Sequence, residues 1–404
     1  MLVKPEEVGL SSSRLARIGE HFQRYVDAGK VAGTLTLVAR GRKVAYLEAQ
    51  GHLEIERRRP VTPESIFRIY SMTKPITSVG LMMLYEQGRF QLDDPVHRFI
   101  PSWRDLRVYV GGNHPAWKTA PVERPMTIRD LLSHTSGLTY GFMERTNVDA
   151  AYRKLGVADR TRPGATLRDT IATLAELPLE FSPGTRWNYS VATDVVGHLI
   201  EVISGQRLDA YLREHVLQPL GMRDTAFHVP KSKRSRLCVA YAGDPKSGKR
   251  IVDDHPKQSK WTSPPKVPSA SAGLVSTIDD YAKFGRMLLA GGRLGRDRIL
   301  SRKTIELMTT DFLTPAQRQM LFMGFPMWDA QGFGLGVSVR DKLGGQASLS
   351  SIGTYGWGGA YGTWWFNDPK ERITAVMMTQ LLVGTLGSKL SPDFTNLVYQ
   401  AIDD

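Results

Sequence analysis

The stretch Ile69-Tyr70-Ser71-Met72-Thr73-Lys74-Pro75-Ile76 joins a short extended, apolar approach to the start of a helix. Apolar residues recur beyond it at helical spacing, at Ile76, Val79, Met83 and Leu84. Gly88 then supplies a stop signal, so the pattern predicts a helix with Ser71 at its N-terminus and Lys74 one turn on. Because residues three apart share a helix face, the lysine amine can reach the serine hydroxyl. The free N–H groups and the dipole of the helix favour negative charge beside Ser71.

A serine within reach of a lysine indicates nucleophilic catalysis, with Ser71 as the nucleophile and Lys74 as its base. Free lysine has a pKa of about 10.4, so the pair needs surroundings that favour the neutral amine, such as burial or a nearby cation. The four-residue pattern also occurs by chance in many unrelated proteins. Its meaning therefore depends on partners elsewhere in the chain.

The composition is that of a globular protein, because 404 residues with 41% hydrophobic side chains are enough for a substantial core. This length predicts two domains or one large discontinuous domain. The N-terminal residues carry no apolar signal core, and the longest uncharged stretch, residues 343–367, is interrupted by Gly and Ser. We therefore expect a cytoplasmic protein without a membrane span. The single cysteine, Cys238, excludes an intrachain disulfide and a metal site built from cysteines.

The net charge of +13 raises the question of an anionic partner, since clustered Lys and Arg side chains attract phosphates. The basic residues gather at residues 57–59, 231–236 and 246–260, in segments typical of exposed turns and without interleaved aromatic residues. This pattern favours solvated loops, and we expect no nucleic-acid partner.

The two ends of the chain combine strands with helices. Residues 15–26 predict an amphipathic helix that Ser11 to Ser13 could cap, and residues 33–40 and 43–50 predict a hairpin. A short strand, residues 66–70, should deliver Ser71. Near the other end, the predicted elements are a helix from Thr277 to Gly291, strands at 333–339, 363–367 and 373–379, and a helix at 394–402.

The middle of the chain is mainly helical. Clear helices are predicted at residues 192–204 and 208–217, whereas 101–125 and 231–268 are polar, Pro-bearing segments that predict loops. The order of elements predicts an α/β (α+β) fold in which an antiparallel sheet flanked by helices is interrupted by a helical insert. The predicted domains are 1–70 with 269–404, and 71–268, with the active site at their interface.

Two further segments could complete a site around Ser71. Tyr189 follows a Pro-Gly turn and precedes the helix at 192–204, so it could relay the serine proton to a leaving group, although a buried structural tyrosine is the alternative. The glycine-rich segment 355–362 precedes a strand, and glycines let the backbone approach a ligand closely. The N–H groups of Ser71 and Ala360 could form an oxyanion hole, unless the segment is only a glycine-rich bulge.

Together these segments resemble the serine β-lactamase and penicillin-binding-protein superfamily, and within it the family VIII carboxylesterases, which are similar to class C β-lactamases. The motifs that carry the resemblance, in order, are Ser71-Met72-Thr73-Lys74, Leu131 to Leu138, Pro183-Gly184 to Tyr189-Ser190, Ala272-Gly273-Leu274 and Trp357-Gly358-Gly359. The resemblance covers nearly the whole chain. It implies a β-lactamase-like fold, with Ser71 as nucleophile, Lys74 as general base, Tyr189 as proton relay, and the N–H groups of Ser71 and Ala360 holding the oxyanion.

Two departures from the β-lactamase pattern bear on the substrate. β-Lactamases carry Tyr-x-Asn and Lys-Thr-Gly, whereas Val191 here takes the place of the asparagine, and Trp357 and Gly358 take those of the lysine and threonine. The lost polar groups help to hold a lactam amide and carboxylate. An apolar wall at Trp357, with Gly358 and Gly359 beside it in the substrate-binding segment, suits the acyl or alcohol group of an ester.

The resulting hypothesis is a cofactor-independent serine carboxylesterase for short- to medium-chain esters, acting through an acyl-serine intermediate. The alternatives are a class C-type β-lactamase or D-alanyl peptidase, a related acyltransferase, and a non-catalytic ligand-binding relative that kept the fold. The natural ester and the oligomeric state are not predicted.

The sequence gives little support to other kinds of hydrolytic site. There is no Gly-x-Ser-x-Gly pentapeptide, and the nine histidines show no HxH or HExxH spacing, so we expect no metal site. His134, within the segment 131–138, is predicted to be a structural hydrogen-bonding residue. The apolar run 320–328 could line an acyl pocket or pack in the core.

Overall fold

The computed structural model describes residues 2–158, 166–244, 246–319, 327–344, 348–384 and 389–404. Its α-helices are α1 (Ser12–Asp27), α2 (Thr73–Glu86), α3 (Ile128–Leu132), α4 (Asn147–Leu155), α5 (Leu167–Ala175), α6 (Ala192–Ser204), α7 (Leu208–Leu212), α8 (Ile278–Leu289), α9 (Arg302–Met308) and α10 (Leu390–Tyr399). Its strands are β1 (Gly33–Arg40), β2 (Lys43–Glu54), β3 (Arg59–Pro60), β4 (Phe67–Arg68), β5 (Arg107–Asn113), β6 (Ala116–Pro121), β7 (Ala240–Gly243), β8 (Arg250–Asp254), β9 (Val275–Ser276), β10 (Arg293–Leu294), β11 (Asp297–Arg298), β12 (Gln331–Phe333), β13 (Ser338–Arg340), β14 (Tyr355–Gly358), β15 (Trp364–Asp368) and β16 (Ile373–Met378).

An eight-stranded antiparallel sheet combines both ends of the chain, in the order β12-β13-β14-β15-β16-β1-β2-β3. Its two halves join where β1 pairs with β16, with Leu37 opposite Val376. Side chains alternate across the sheet, so Val38 packs into one core with α1 and α10, while Leu37 packs into another with α8. Both faces of the sheet are therefore covered by helices, as the sequence predicts.

The helices α1 and α8, on opposite faces of the sheet, begin where their sequence signals lie. The Ser11 side chain caps α1 by accepting from the Arg14 N–H, and Thr277 caps α8 by accepting from the Asp280 N–H. Predicted helix 192–204 is α6, and predicted helix 208–217 is α7 followed by a π-helical turn, Arg213–Leu217. Local capping and periodicity are enough to define these helices.

Helices fill the middle of the chain, where α2 packs against α6 and α7. The apolar side chains of α2 and α6 belong to the same core as those of α8 and β1. The division into 1–70 with 269–404 and 71–268 stays a prediction.

Four predicted segments differ from the structure. Predicted strand 333–339 is a hairpin of β12 and β13, because Gly336 adopts a positive φ of 94° and turns the chain between them. Predicted strand 66–70 shortens to β4, which pairs with β9 and ends before Tyr70. The predicted loops 101–125 and 231–268 contain the hairpins β5–β6 and β7–β8.

These two hairpins were missed because distant backbone fixes them. The Tyr109 N–H of β5 donates to the Leu179 carbonyl at 2.8 Å, and the Tyr241 N–H of β7 donates to the Gln380 carbonyl at 2.8 Å. Backbone partners that are distant in sequence are available to these hairpins only in the folded chain.

Candidate active site

Ser71 lies in a 3₁₀ turn, Tyr70–Met72, between β4 and α2. The turn begins with Tyr70 at a φ of 41°, a left-handed conformation that bulky residues seldom adopt. Lys74 is in the first turn of α2, and its Nζ lies 3.3 Å from Ser71 Oγ. The predicted serine–lysine contact is therefore formed.

The Lys74 amine is enclosed by the protein. Its side chain is 1% exposed, and Nζ donates to the Ser271 carbonyl at 3.0 Å. The amine also lies 4.5 Å from the centre of the Tyr189 ring and 5.4 Å from that of Tyr140. Within the described part of the chain, no carboxylate forms an ion pair with Lys74.

Ser271, whose carbonyl accepts from Lys74, is itself held by a buried carboxylate. Asp194, in the first turn of α6, accepts from the Ser271 hydroxyl at 2.6 Å and from the Ser271 N–H at 3.1 Å. The Ser269 hydroxyl donates to the same carboxylate at 3.0 Å. Burial raises the pKa of Asp194, and the hydrogen bonds from Ser271 and the charge of Lys74 oppose that rise.

Sequence reasoning missed Asp194, Ser271 and Tyr140. Ser271 directly precedes the segment 272–274 that carries part of the family resemblance, so its position was a usable signal. Asp194 reads as an ordinary acidic residue in a first helical turn. Tyr140 carries no local signal, and burial raises its pKa well above the usual range.

Tyr189 lies against Lys74 and its hydroxyl has a partner. The Tyr189 side chain is buried, and the Trp357 Nε1–H donates to the Tyr189 hydroxyl at 3.3 Å. The Trp357 ring also packs edge-on against Phe333, with centroids 5.2 Å apart. Trp357 thus forms the apolar wall that the sequence suggested and also contacts the hydroxyl of the candidate proton relay.

The glycine-rich segment lies next to the turn that carries Ser71. A Cβ on Gly359 would lie 2.5 Å from the Ile69 carbonyl oxygen, so only a glycine lets the end of β14 come this close. The Ala360 carbonyl accepts from the Val383 N–H at 2.9 Å. Among the described residues, neither the Ser71 N–H nor the Ala360 N–H donates a hydrogen bond. Gly358, at the end of β14, packs against the Trp364 ring.

His134 and Val191 lie beside the site and have no role in its chemistry. His134 Nδ1 lies 3.2 Å from Ser190 Oγ, which agrees with the predicted structural role. Burial, followed by the charge of Lys74, lowers the pKa of His134 well below the usual range. Val191 is buried as the N-cap residue of α6. Of the apolar run 320–328, residues 320–326 lie outside the described residues, and Trp328 packs on Trp187 with ring centroids 4.5 Å apart.

The beta-lactamase family matches residues 18–394 of this sequence, a span that includes every residue of the site. This chain belongs to the beta-lactamase family. The family assignment agrees with the resemblance found in the sequence and with the β-lactamase-like fold.

Individual relatives cover almost the whole of this beta-lactamase family member. Protein Rv1367c of Mycobacterium tuberculosis is 37% identical over 357 residues, which are 88% of this chain and 87% of the relative. Esterase EstB of Burkholderia gladioli is 29% identical, with 96% of each chain covered. Among solved structures, EstCE1, described as a hydrolase with promiscuous acyltransferase activity, superposes with a TM-score of 0.80 at 29% identity, covering 96% of this chain and 99% of EstCE1.

No helix formed by the described residues is both long enough and apolar enough to cross a bilayer. The same residues contain no group of three or more His, Cys, Asp or Glu side chains placed to hold a metal ion.

Proposed function

We propose that this protein is a serine carboxylesterase of the family VIII type that hydrolyses short- to medium-chain esters. The observation that carries the proposal is the approach of Ser71 Oγ to within 3.3 Å of the enclosed Lys74 amine, which itself lies against the Tyr189 ring. A nucleophile within hydrogen-bond distance of a base, with a third group beside the base, is the arrangement that acyl transfer requires. The names of Esterase EstB and of the hydrolase EstCE1 support the reaction class.

The proposed acylation starts with attack of Ser71 Oγ on the ester carbonyl carbon. Lys74 takes the serine proton, and the N–H groups of Ser71 and Ala360 donate to the oxyanion of the tetrahedral intermediate. The C–O bond to the alcohol then breaks, and Tyr189 passes a proton to the departing alkoxide. In the second half of the reaction, water attacks the acyl-Ser71 ester while the deprotonated Tyr189 hydroxyl takes a proton from that water. The protonated Lys74 amine then returns a proton to Ser71 Oγ as the carboxylic acid leaves.

Several side chains favour an ester over a lactam. Val191 and Trp357 replace polar residues that would hold a lactam amide and carboxylate. Two exposed apolar residues flank the catalytic groups: Phe142 stacks on Tyr140 at 4.7 Å, and the Val383 N–H is bonded to the Ala360 carbonyl. We infer an apolar entrance suited to uncharged acyl and alcohol groups.

The site also fits the predicted interface between the two parts of the chain. Ser71, Lys74 and Tyr189 come from 71–268, whereas Trp357 and Ala360 come from 269–404. We therefore propose that substrate binds between them. The cytoplasmic location stays a prediction.

The direct test is hydrolysis of p-nitrophenyl butyrate by the wild type and by Ser71→Ala. We expect the alanine variant to lose at least about 1,000-fold in kcat/KM, because it lacks the oxygen that forms the acyl intermediate. Ser247→Ala, at an exposed serine on the loop between β7 and β8, is the matched control and should keep full activity. A Ser71→Ala variant that retains most of its activity would contradict the proposal.

Two further assays separate the alternatives. Comparison of kcat/KM for nitrocefin and for the ester tests the β-lactamase alternative, and we expect the ester to be preferred by a wide margin. Labelling of Ser71 by a fluorophosphonate tests the non-catalytic alternative, because a ligand-binding relative without an activated serine would not react.

Acyl transfer to an alcohol is tested separately, because EstCE1 is described as a hydrolase with promiscuous acyltransferase activity. The acyl-Ser71 intermediate could react with an alcohol in place of water. Product analysis with vinyl butyrate and increasing concentrations of an acceptor alcohol measures the partition. We expect hydrolysis to dominate at low alcohol concentration.

A further inference from the structure

Each of the two N–H groups proposed to hold the oxyanion has a tyrosine as its neighbour in sequence. Tyr70 precedes Ser71, and Tyr361 follows Ala360. The two tyrosine rings stack on each other, with centroids 4.7 Å apart and planes inclined by 11°. The stack therefore links the two segments directly beside the N–H groups.

Contacts of the Tyr70 ring maintain an unusual backbone conformation at this residue. A φ of 41° is unfavourable for an aromatic residue and persists only where surrounding contacts maintain it. These contacts are the stack on Tyr361 and an edge-on contact with the buried ring of Trp261, at 5.2 Å and 62°. Because the backbone of Tyr70 orients the peptide that carries the Ser71 N–H, the ring contacts also orient that donor.

Strand β8 attaches to both segments through adjacent carboxylates. The Tyr361 hydroxyl, on a buried side chain, donates to the Asp253 carboxylate. The next residue, Asp254, forms an ion pair with Arg68, with Nη2 and Oδ2 2.6 Å apart. Arg68 is fully buried in β4, two residues before Tyr70. The end of β8 thus connects the strand that leads to Ser71 with the segment that follows Ala360.

We propose that Tyr70, Tyr361 and Asp253 form an oxyanion clamp that fixes the separation and direction of the N–H groups of Ser71 and Ala360. These three are positioning residues, since they act through the backbone of their neighbours. The inference rests on the proposed function, because it assigns a role to the surroundings of that site.

The clamp should affect the transition state more than the bound substrate. Charge on the carbonyl oxygen develops only as the tetrahedral intermediate forms, so a misplaced donor lowers kcat and leaves KM nearly unchanged. A donor displaced by about 1 Å loses on the order of 100-fold in rate.

The test uses variants that separate the ring stack from the hydroxyl. Tyr70→Leu removes the stack, whereas Tyr70→Phe keeps it. Tyr361→Phe keeps the stack and removes the hydroxyl that contacts both Asp253 and the Tyr70 hydroxyl. We expect kcat on p-nitrophenyl butyrate to fall about 10- to 100-fold in Tyr70→Leu and severalfold in Tyr361→Phe, with KM within about twofold of wild type. Tyr70→Phe should retain kcat.

A second readout reports the oxyanion itself. A trifluoromethyl ketone analogue of the ester adds to Ser71 and forms a stable oxyanion, so its affinity should fall by the same factor as kcat/KM. The matched control is Tyr399→Phe, which also removes a tyrosine–carboxylate hydrogen bond, 2.7 Å to Asp368 at the opposite end of β15. This variant should keep kcat and inhibitor affinity even if its Tm falls.

Folded Tyr70→Leu and Tyr361→Phe variants with wild-type kcat and inhibitor affinity would overturn the clamp. If Tyr70→Leu does not fold, Asp253→Ala decides, because it keeps both rings, removes the acceptor of the Tyr361 hydroxyl and should also lower kcat and inhibitor affinity. These outcomes are separate from failure of the proposed function, which would show as full activity of Ser71→Ala.

Discussion

The groups that directly contact the Lys74 amine are uncharged, and this determines how the loss of the amine should be tested. The amine contacts Ser71 Oγ, the Ser271 carbonyl and the face of the Tyr189 ring. Methionine can fill nearly the same volume without an amine, so Lys74→Met isolates the base from the packing.

We expect Lys74→Met to lower kcat on p-nitrophenyl butyrate by about 100- to 10,000-fold, the range over which a positioned general base contributes. The Tm should change little, because no ion pair is broken in the described part of the chain. Lys303→Met, at a side chain that is 77% exposed on α9, is the control and should keep full activity. A Lys74→Met variant with kcat within tenfold of wild type would assign the base elsewhere.

Trp357 provides a second test at the scale of one residue, because its indole N–H contacts the hydroxyl of Tyr189. Trp357→Phe keeps an aromatic ring against Phe333 and removes this donor. A neutral hydrogen bond is worth about 1 kcal/mol, so kcat should fall about three- to tenfold.

The control for this variant is Trp364→Phe. The Trp364 indole nitrogen is buried and has no hydrogen-bond partner in the described part of the chain, so its removal should leave kcat unchanged. Equal effects of the two substitutions would show that ring volume, and not the indole N–H, matters at Trp357.

At the scale of elements, the approach of β14 to the turn before α2 depends on Gly359. A Cβ there would lie 2.2 Å from Thr363 Oγ1 and 2.5 Å from the Ile69 carbonyl oxygen. Gly359→Ala must therefore push the end of β14 away from Ser71. We expect kcat to fall about 100-fold, because Ala360 would move with the strand.

Gly111→Ala on β5 is the matched glycine control, since the nearest atom to its Cβ is a Lys118 side-chain carbon at 3.8 Å. Kinetics and thermal unfolding of both variants distinguish a moved donor from general destabilisation. Wild-type kcat in Gly359→Ala would show that the Ala360 N–H takes no part in the reaction.

At the scale of the whole molecule, the buried His134 makes the free energy of unfolding depend on pH. Burial and the charge of Lys74 hold the pKa of His134 well below its usual range, so the folded protein keeps this histidine neutral. The unfolded chain takes up a proton below about pH 6.5. The free energy of unfolding should therefore fall by about 1.4 kcal/mol per pH unit below that value, until the folded pKa is reached.

His134→Asn removes this contribution and suits the left-handed backbone at this position, where φ is 57°. Urea unfolding at about pH 6 and about pH 5 should show that the wild type loses about 1.2 kcal/mol more than the variant. Equal losses in both proteins would contradict a neutral buried His134.

The fold could be predicted largely from local patterns, and the candidate site only in part. The helix after Ser71, the β1–β2 hairpin and α6 follow from periodicity, turn residues and caps that lie within each segment. Hairpins β5–β6 and β7–β8 were missed, because each depends on backbone partners far away in sequence.

By itself, the sequence determined that Ser71 and Lys74 share the start of a helix, because their contact depends only on a spacing of three residues. Only the tertiary structure decided that Ser271 and Asp194 lie beneath Lys74, since those contacts join three separate segments. It likewise decided that the Trp357 N–H meets the Tyr189 hydroxyl. Burial and hydrogen-bond geometry arise from packing, and packing depends on all the segments that meet at the site.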